Sequence, residues 1–149
     1  MKRRTLIHAL TTFSLLPALS ARAATTPIHV YRIASCDCCA AWVKHLSSAG
    51  FAVQVTTTDD TTAIRKKVGI PEAFGACHTA TVEGYAIEGH VPATEIRRLL
   101  ASKPQAIGLA VPSMPVGSPG MEYGDRKDPY KVFLIDRQGR DTVFASYPK

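Results

Sequence analysis

Three of the chain's four cysteines lie within the run Cys36-Asp37-Cys38-Cys39. The run follows a strand-like stretch and precedes an expected helix, whose positive N-terminal end favours ionisation of a thiol. A thiolate is both the nucleophile of disulfide exchange and a soft ligand for Cu(I), zinc or iron–sulfur centres. The spacing therefore indicates redox chemistry or metal binding.

Three interpretations of Cys36, Cys38, Cys39 and Cys77 remain open. Two structural disulfides among them would close very short loops, which stabilise a fold little, and a bond between adjacent cysteines would be strained. A redox enzyme would use Cys36 as the attacking thiolate and Cys39 as its resolving partner, although Cys38 would compete for the mixed disulfide. A metal site would use all four sulfurs. Adjacent cysteines suit bridging two ions better than closing one tetrahedral site, which favours a multinuclear Cu(I) cluster over zinc.

One histidine and two methionines are the other candidate metal ligands. His78 directly follows Cys77 and is the best nitrogen donor. Met114 and Met121 lie in an uncharged loop, and thioethers coordinate Cu(I) well. A loop methionine also serves as apolar packing, so both roles stay open for these two residues.

Other polar side chains near the motifs are expected to have ordinary roles. His90 precedes a helix, where a structural hydrogen bond is favoured over the alternative role of supporting a metal ligand. His45 and His29 are expected to lie at the surface or to fill the core. Asp37 and Glu88 are expected to be solvated acids.

The elements that position these residues follow from hydrophobic periodicity. Alternation predicts strands at residues 28–33 and 51–55, and helical spacing predicts a helix between them that ends at Gly50. Further predicted elements are a short helix ending at Gly69, a hairpin of residues 79–82 and 85–87, a helix opening at Pro92, and a C-terminal hairpin of residues 131–135 and 142–145.

The predicted order β-α-β-α-β-β-α is typical of a single α/β domain with a thioredoxin-like fold. In that architecture the loop before the third strand, residues 76–79 here, faces the C-x-x-C motif. Residues 104–129 contain five prolines and four glycines, and no charged side chain lies between Lys103 and Glu122. Because a disordered linker would be polar, we expect an ordered loop wrapped over the domain.

Residues 1–23 are predicted to be a signal peptide. They contain a basic start (Lys2-Arg3-Arg4), an apolar stretch (residues 6–19) and a cleavage-site pattern (Ala21-Arg22-Ala23). The domain is then residues 24–149, in an oxidising periplasm. The two arginines leave the Sec and twin-arginine routes open.

The charge balance argues against a nucleic-acid function. The chain has 18 basic and 12 acidic side chains, and the predicted signal holds four of the basic ones and no acid. The remaining fourteen basic and twelve acidic groups give no basic footprint for nucleic acid. We also expect no membrane span once the signal is removed, because its apolar stretch is short and contains Pro17.

Four blocks of the sequence resemble a family of small exported bacterial metal-binding proteins that includes the copper resistance protein CopG. The blocks are Ser35-Cys36-Asp37-Cys38-Cys39 with Trp42, residues 76–80, residues 84–92, and residues 108–112 running on to Met121. One departure is Ser113, which stands where the family more often has glycine.

The resemblance implies a thioredoxin-like fold, a periplasmic location, and copper held by the C-x-C-C cysteines together with Cys77. Residues and resemblance together predict a Cu(I)-binding protein of copper handling or resistance, with zinc less favoured. The alternative is a thiol–disulfide oxidoreductase using Cys36 and Cys39, so enzyme activity stays open. The expected partners are copper ions and another periplasmic copper-handling or redox protein.

Overall fold

The computed structural model describes residues 25–148, so the predicted signal peptide lies outside the described residues. The elements, in chain order, are β1 (Pro27–Arg32), α1 (Asp37–Ser48), β2 (Ala52–Thr57), α2 (Thr62–Val68), a 3₁₀ turn (Glu72–Phe74), β3 (His78–Val82), β4 (Tyr85–Glu88), α3 (Ala93–Ser102), β5 (Ala106–Ala110), β6 (Tyr130–Asp136) and β7 (Asp141–Tyr147). None of the helices in this part of the chain is long and apolar enough to cross a membrane.

The seven strands form one mixed sheet in the order β2-β1-β3-β4-β5-β6-β7. β1 pairs in parallel with β2, and β4 pairs in parallel with β5. Each parallel pair is joined by a crossover helix, α1 or α3, as a parallel connection requires. The other neighbours are antiparallel hairpins or pairs. The chain is therefore a single mixed α/β domain.

Strand β5 lies inside the segment that we expected to be a loop, and this part of the prediction was wrong. Four of its five residues are buried, and a central strand buried on both faces lacks the alternation that reveals a strand in the sequence. Gly108 fits the place because a Cβ there would lie 1.7 Å from the Ala86 carbonyl oxygen on β4. The close approach of the two strands therefore requires glycine.

The main core lies between one face of the sheet and helices α1 and α3. Trp42 and Leu46 from α1 pack with Ile96 and Leu99 from α3, and all four are fully buried. The indole of Trp42 also donates a hydrogen bond of 2.9 Å to the carbonyl of Val91, so its polar atom is satisfied inside the core. Helix α1, which carries Cys38 and Cys39 and has Cys36 as its N-cap, is thus fixed to the sheet.

The other face of the sheet carries a smaller apolar cluster against α2. Ile70, which follows α2, packs with Ala86, Ala110 and Ile135 of the sheet.

The β3–β4 hairpin turns through Glu83 and Gly84, which have φ values of 45° and 83°. Two successive positive φ angles are typical of the two-residue turn that was predicted here.

Candidate metal centre

The C-x-C-C motif begins at the N-terminus of α1. Cys36 is the N-cap, and its sulfur accepts a hydrogen bond of 3.3 Å from the backbone N–H of Cys39. The guanidinium of Arg32 donates from one nitrogen to the carbonyl oxygens of Ile33 (3.1 Å) and Cys36 (3.3 Å). The Cys36 sulfur therefore lies in the positive field of a helix end, beside an arginine that orders the loop before it.

All four cysteine sulfurs lie within 4.8 Å of one another. Cys36 and Cys39 form a disulfide, and Cys38 and Cys77 are free thiols. The Cys38 sulfur lies 3.4 Å from that of Cys36 and 3.8 Å from that of Cys77. The Cys77 sulfur lies 3.3 Å from that of Cys39. The loop before β3 thus places the fourth cysteine against the other three.

The disulfide pairs the two cysteines that a C-x-x-C redox motif would use. A disulfide sulfur is a much poorer metal ligand than a thiolate, so this form offers two strong sulfur ligands, Cys38 and Cys77. Reduction of the Cys36–Cys39 bond by two electrons makes all four available. The oxidised and reduced forms therefore differ in the number of thiols that they offer to a soft metal.

Two histidines place ring nitrogens beside Cys77. The Nδ1 atom of His78 lies 3.4 Å from the Cys77 sulfur, and the Nε2 atom of His90 lies 3.6 Å from it. The opposite nitrogens face carbonyl oxygens, of Gly89 at 2.9 Å and Pro119 at 2.8 Å. Since a carbonyl only accepts, those opposite nitrogens carry the ring protons, and both histidines turn a lone pair towards Cys77. This is how metal-binding histidines are commonly oriented.

The electrostatics of the site keep these groups neutral without a metal. Burial, reinforced by His90, lowers the pKa of His78 to about 3. Burial also lowers the pKa of His90. Burial and the neighbouring Cys38 raise the pKa of the Cys77 thiol to about 12. A cation that binds here meets unprotonated imidazoles and displaces the thiol proton.

Of the two methionines, Met114 lies close to the sulfur cluster. Its Sδ atom is 3.9 Å from the Cys38 sulfur, and the residue is 48% exposed. Met121 is linked to the same loop through its backbone, which bonds Gly117 and Ser118 at 2.8 Å each. A role for Met121 as a ligand remains a prediction.

The loop is held against α1 at Gly120. A Cβ at this position would lie 2.8 Å from both the Cys38 carbonyl oxygen and the Trp42 backbone nitrogen, and the φ angle is 87°. Pro119, its neighbour, receives the hydrogen bond of His90. The loop was expected to wrap over the domain, and at Pro119 and Gly120 it does. The contact at Gly120 brings the loop to the C-x-C-C motif.

Glu88 is fully buried, contrary to the expectation that it is a solvated acid. Its Oε1 accepts from Arg65 Nε at 2.9 Å and from the Ala76 N–H at 2.7 Å. Its Oε2 accepts from the Thr79 hydroxyl at 2.6 Å. Burial raises the pKa of the Glu88 carboxyl, and these hydrogen bonds oppose that rise. The residue belongs to the support of the Cys77 loop.

His90 was not among the candidate ligands expected from the sequence. A structural hydrogen bond was favoured for it, and the contact with Pro119 is one, but the other ring nitrogen faces Cys77. The register of the β3–β4 hairpin, which can be inferred from the sequence, identifies His90 as a neighbour of Cys77. With Glu83-Gly84 as the turn, Thr79 pairs with Glu88, and continuing that register places position 90 opposite position 77.

A shallow cleft of about 420 Å³ connects the cluster to solvent. Its lining includes Cys77 and Met114, with Gly75, Ala76 and Ser113 beside them. Met114 is 48% exposed and Cys77 is partly buried, and both side chains line this cleft.

Comparisons with known proteins match this chain to one family. A family model described as "Protein of unknown function, DUF411" matches residues 74–121. Two solved structures of a copper resistance protein CopG are similar to the chain, both with a TM-score of 0.80. Form 2 is 45% identical, covering 84% of this chain and 100% of that chain, and form 1 is 44% identical, covering 85% and 100%. No curated protein sequence gives a significant match.

Proposed function

Because the chain belongs to the DUF411 family that includes the copper resistance protein CopG, we propose that it is a periplasmic Cu(I)-binding protein of copper handling. The observation that carries the proposal is the convergence of four cysteine sulfurs within 4.8 Å of one another. Two histidines add nitrogen donors to the same place. Thiolate and thioether sulfur select Cu(I) over the harder divalent metals, which is why copper is favoured over zinc.

The arrangement of the donors favours more than one copper ion. Cys77 belongs to two ligand sets, one with the other three cysteines and one with His78 and His90. A thiolate can bridge two metal ions, whereas the adjacent Cys38 and Cys39 do not readily chelate one tetrahedral ion. In this proposal Cys77 is the bridging ligand of a multinuclear Cu(I)–thiolate cluster, and Met114 is an outer donor beside Cys38.

The proposal includes the export and fold assignments made from the sequence. Residues 1–23 would be the signal peptide, and residues 24–149 the metal-binding domain in the periplasm. The mixed sheet, with the C-x-C-C motif between β1 and α1, supports a thioredoxin-like fold. Another periplasmic copper-handling or redox protein would exchange metal or electrons with the site.

Redox state and copper capacity would be coupled. Formation of the Cys36–Cys39 disulfide removes two thiols, releasing two protons and passing two electrons to an oxidant. The pair then no longer supplies thiolate ligands, so the oxidised protein would hold less copper than the reduced one. A reductant of the thiol class would restore the four-sulfur site.

The test is metal analysis of protein that is reduced and loaded with Cu(I) without oxygen. We expect at least one equivalent of tightly held copper per chain and a marked loss in Cys77→Ser. The matched control is Ser35→Ala, beside the motif but without a sulfur ligand. Less than one equivalent in the unmodified protein, or full binding after Cys77→Ser, contradicts the shared four-cysteine site.

A second candidate function is supported by the disulfide at the helix N-terminus. Cys36 and Cys39 are oxidised there, which is the pair a thiol–disulfide oxidoreductase would use. That function predicts metal-free turnover in a disulfide-reduction assay. It also predicts a trapped mixed disulfide at Cys36 in Cys39→Ser. No turnover and no trapped species would exclude this second candidate.

A further inference from the structure

The backbone of Ala76, the residue before Cys77, is held at both its N–H and its carbonyl oxygen by a buried ion pair. The N–H of Ala76 donates to Glu88 Oε1 at 2.7 Å, and the carbonyl oxygen of Ala76 accepts from Arg65 Nη2 at 2.9 Å. Arg65 and Glu88 are themselves joined, with 2.9 Å between Nε and Oε1. The planar guanidinium therefore bonds the carboxylate and the loop backbone at the same time.

Close contacts surround the side chains of this ion pair. Arg65 and Glu88 are 6% and 0% exposed. A Cβ at Gly75 would lie 2.9 Å from the Arg65 guanidinium carbon, and a Cβ at Gly89 would lie 2.8 Å from the Cβ of Ala76. Ala76 itself is partly exposed and lines the cleft beside Cys77, so the bonds from the ion pair are what fix its backbone on the protein side.

Stability alone does not account for a buried ion pair. Removing two charges from water costs about as much as their attraction returns, and apolar pairs of similar volume are often as stable or more stable. What an apolar pair cannot supply is a set of hydrogen bonds to the backbone of one specific residue. Here that residue, Ala76, directly precedes the cysteine that both ligand sets share.

We propose that Arg65 and Glu88 are positioning residues that hold the Cys77 thiol against the other cysteines and the two histidines. The inference rests on the proposed role of Cys77 in metal binding and adds the residues that set its geometry. Neither Arg65 nor Glu88 would bind the metal. Both side chains lie on the opposite face of the sheet from Trp42, and they act on Cys77 through their hydrogen bonds to the Ala76 backbone.

The first test measures the position of Cys77 without any metal. In reduced protein, the rate of alkylation by iodoacetamide is followed separately for each cysteine by peptide mass spectrometry. Arg65→Met combined with Glu88→Leu removes both bonds to Ala76. We expect Cys77 to react at least about tenfold faster than in the unmodified protein, since the loss of even one of the two hydrogen bonds to a charged group corresponds to about that ratio.

Two further variants separate positioning from folding. Arg65→Lys keeps the charge but lacks the fork that reaches both Glu88 and Ala76, so Cys77 should react faster in it as well. Glu88→Gln keeps an acceptor for the Ala76 N–H and should react almost as the unmodified protein does. Glu95→Gln is the matched control. Glu95 is a buried acid far from Cys77 in the sequence, and it is bonded to Arg98 on α3 and to Tyr147 on β7. Should the double variant not fold, Arg65→Lys carries the test.

The second test measures Cu(I) affinity by competition with a chromophoric chelator on the same variants. We expect a loss of about tenfold in Arg65→Lys and in the double variant, and none in Glu95→Gln. A folded Arg65→Lys protein in which Cys77 reacts at the unmodified rate overturns the positioning role. If the unmodified protein binds no copper, the proposed function fails, and the alkylation rates still decide the positioning role.

Discussion

Cys77 and His90 face each other at the open end of the β3–β4 hairpin, with 3.6 Å between the thiol sulfur and the imidazole Nε2. The proton of this histidine is on its other nitrogen, which bonds Pro119. The contact joins three parts of the chain: the loop before β3, the segment after β4 and the loop between β5 and β6. Because these residues come from distant segments, substitution of one of them tests the contribution of its own segment to the site.

Replacement of His90 tests this contact. In His90→Gln the amide can still donate to the Pro119 carbonyl, but the imidazole lone pair that faces Cys77 is lost. We expect Cu(I) affinity to fall at least about tenfold, as with loss of a supporting group in other metal sites. The measurement is chelator competition on reduced protein. His29→Gln on β1 is the control, and equal affinity in both variants would show that His90 is only structural.

Gly120 should be intolerant of a side chain. Gly120→Ala places a Cβ against the Cys38 carbonyl and the Trp42 nitrogen at a positive φ, and we expect the free energy of unfolding to drop by about 2 kcal/mol or more. Gly124→Ala is matched, since it also has a positive φ but nothing within 4 Å of its Cβ. It should cost about 1 kcal/mol from backbone strain alone. Urea unfolding of both variants compares them, and equal losses would mean that the contact with α1 is not tight.

Ser113 has a φ of 65°, at a position where the sequence resemblance predicts glycine as the more common residue. A non-glycine residue pays for this left-handed conformation, whereas glycine adopts it freely. We expect Ser113→Gly to raise the free energy of unfolding by about 0.5–1 kcal/mol, after allowing for the greater freedom of the unfolded chain. Urea denaturation measures the change. A lower stability would indicate that the Ser113 side chain makes a contact worth more than the strain.

The thiol count should depend on oxidation. Air-oxidised protein should titrate with two free thiols, those of Cys38 and Cys77, and reduced protein with four. Cu(I) capacity should follow the thiol count, because thiolates are the binding form. Titration with a chromogenic disulfide, together with metal analysis of one preparation, gives both numbers. Complete absence of free thiols in the oxidised protein, or equal capacity in both states, would contradict the coupling of redox state to copper.

Local sequence signals predicted the parts of the fold that have clear periodicity or turn residues. The first strand, α1 and the β3–β4 hairpin have alternating or helical periodicity and clear turn residues, and each is present within a few residues. β5 lacks such a pattern because it is buried on both faces. Pro92 is the N-cap of α3 rather than its first residue, a difference of one position.

The candidate site was predictable where its residues are adjacent in sequence. Cys36, Cys38 and Cys39 stand out by spacing. Cys77 was placed beside them by the expected order of elements. The burial of Glu88 was not predictable, because its partners come from α2 and from the loop before Cys77, and a single acid in a short strand carries no sign of an ion pair. Tertiary contacts of this kind lie beyond local pattern.

Trp42 lies at the centre of the main core, with 4.3 Å between its ring centroid and that of His78. His78, a proposed copper ligand, therefore packs directly against a residue of the main core. A ligand that binds only the native state adds to its stability, by about 4 kcal/mol at a thousandfold excess over its dissociation constant. Proteases remove the unfolded fraction of a protein in the cell. The amount of this protein would then rise with the supply of copper, even at a constant rate of synthesis.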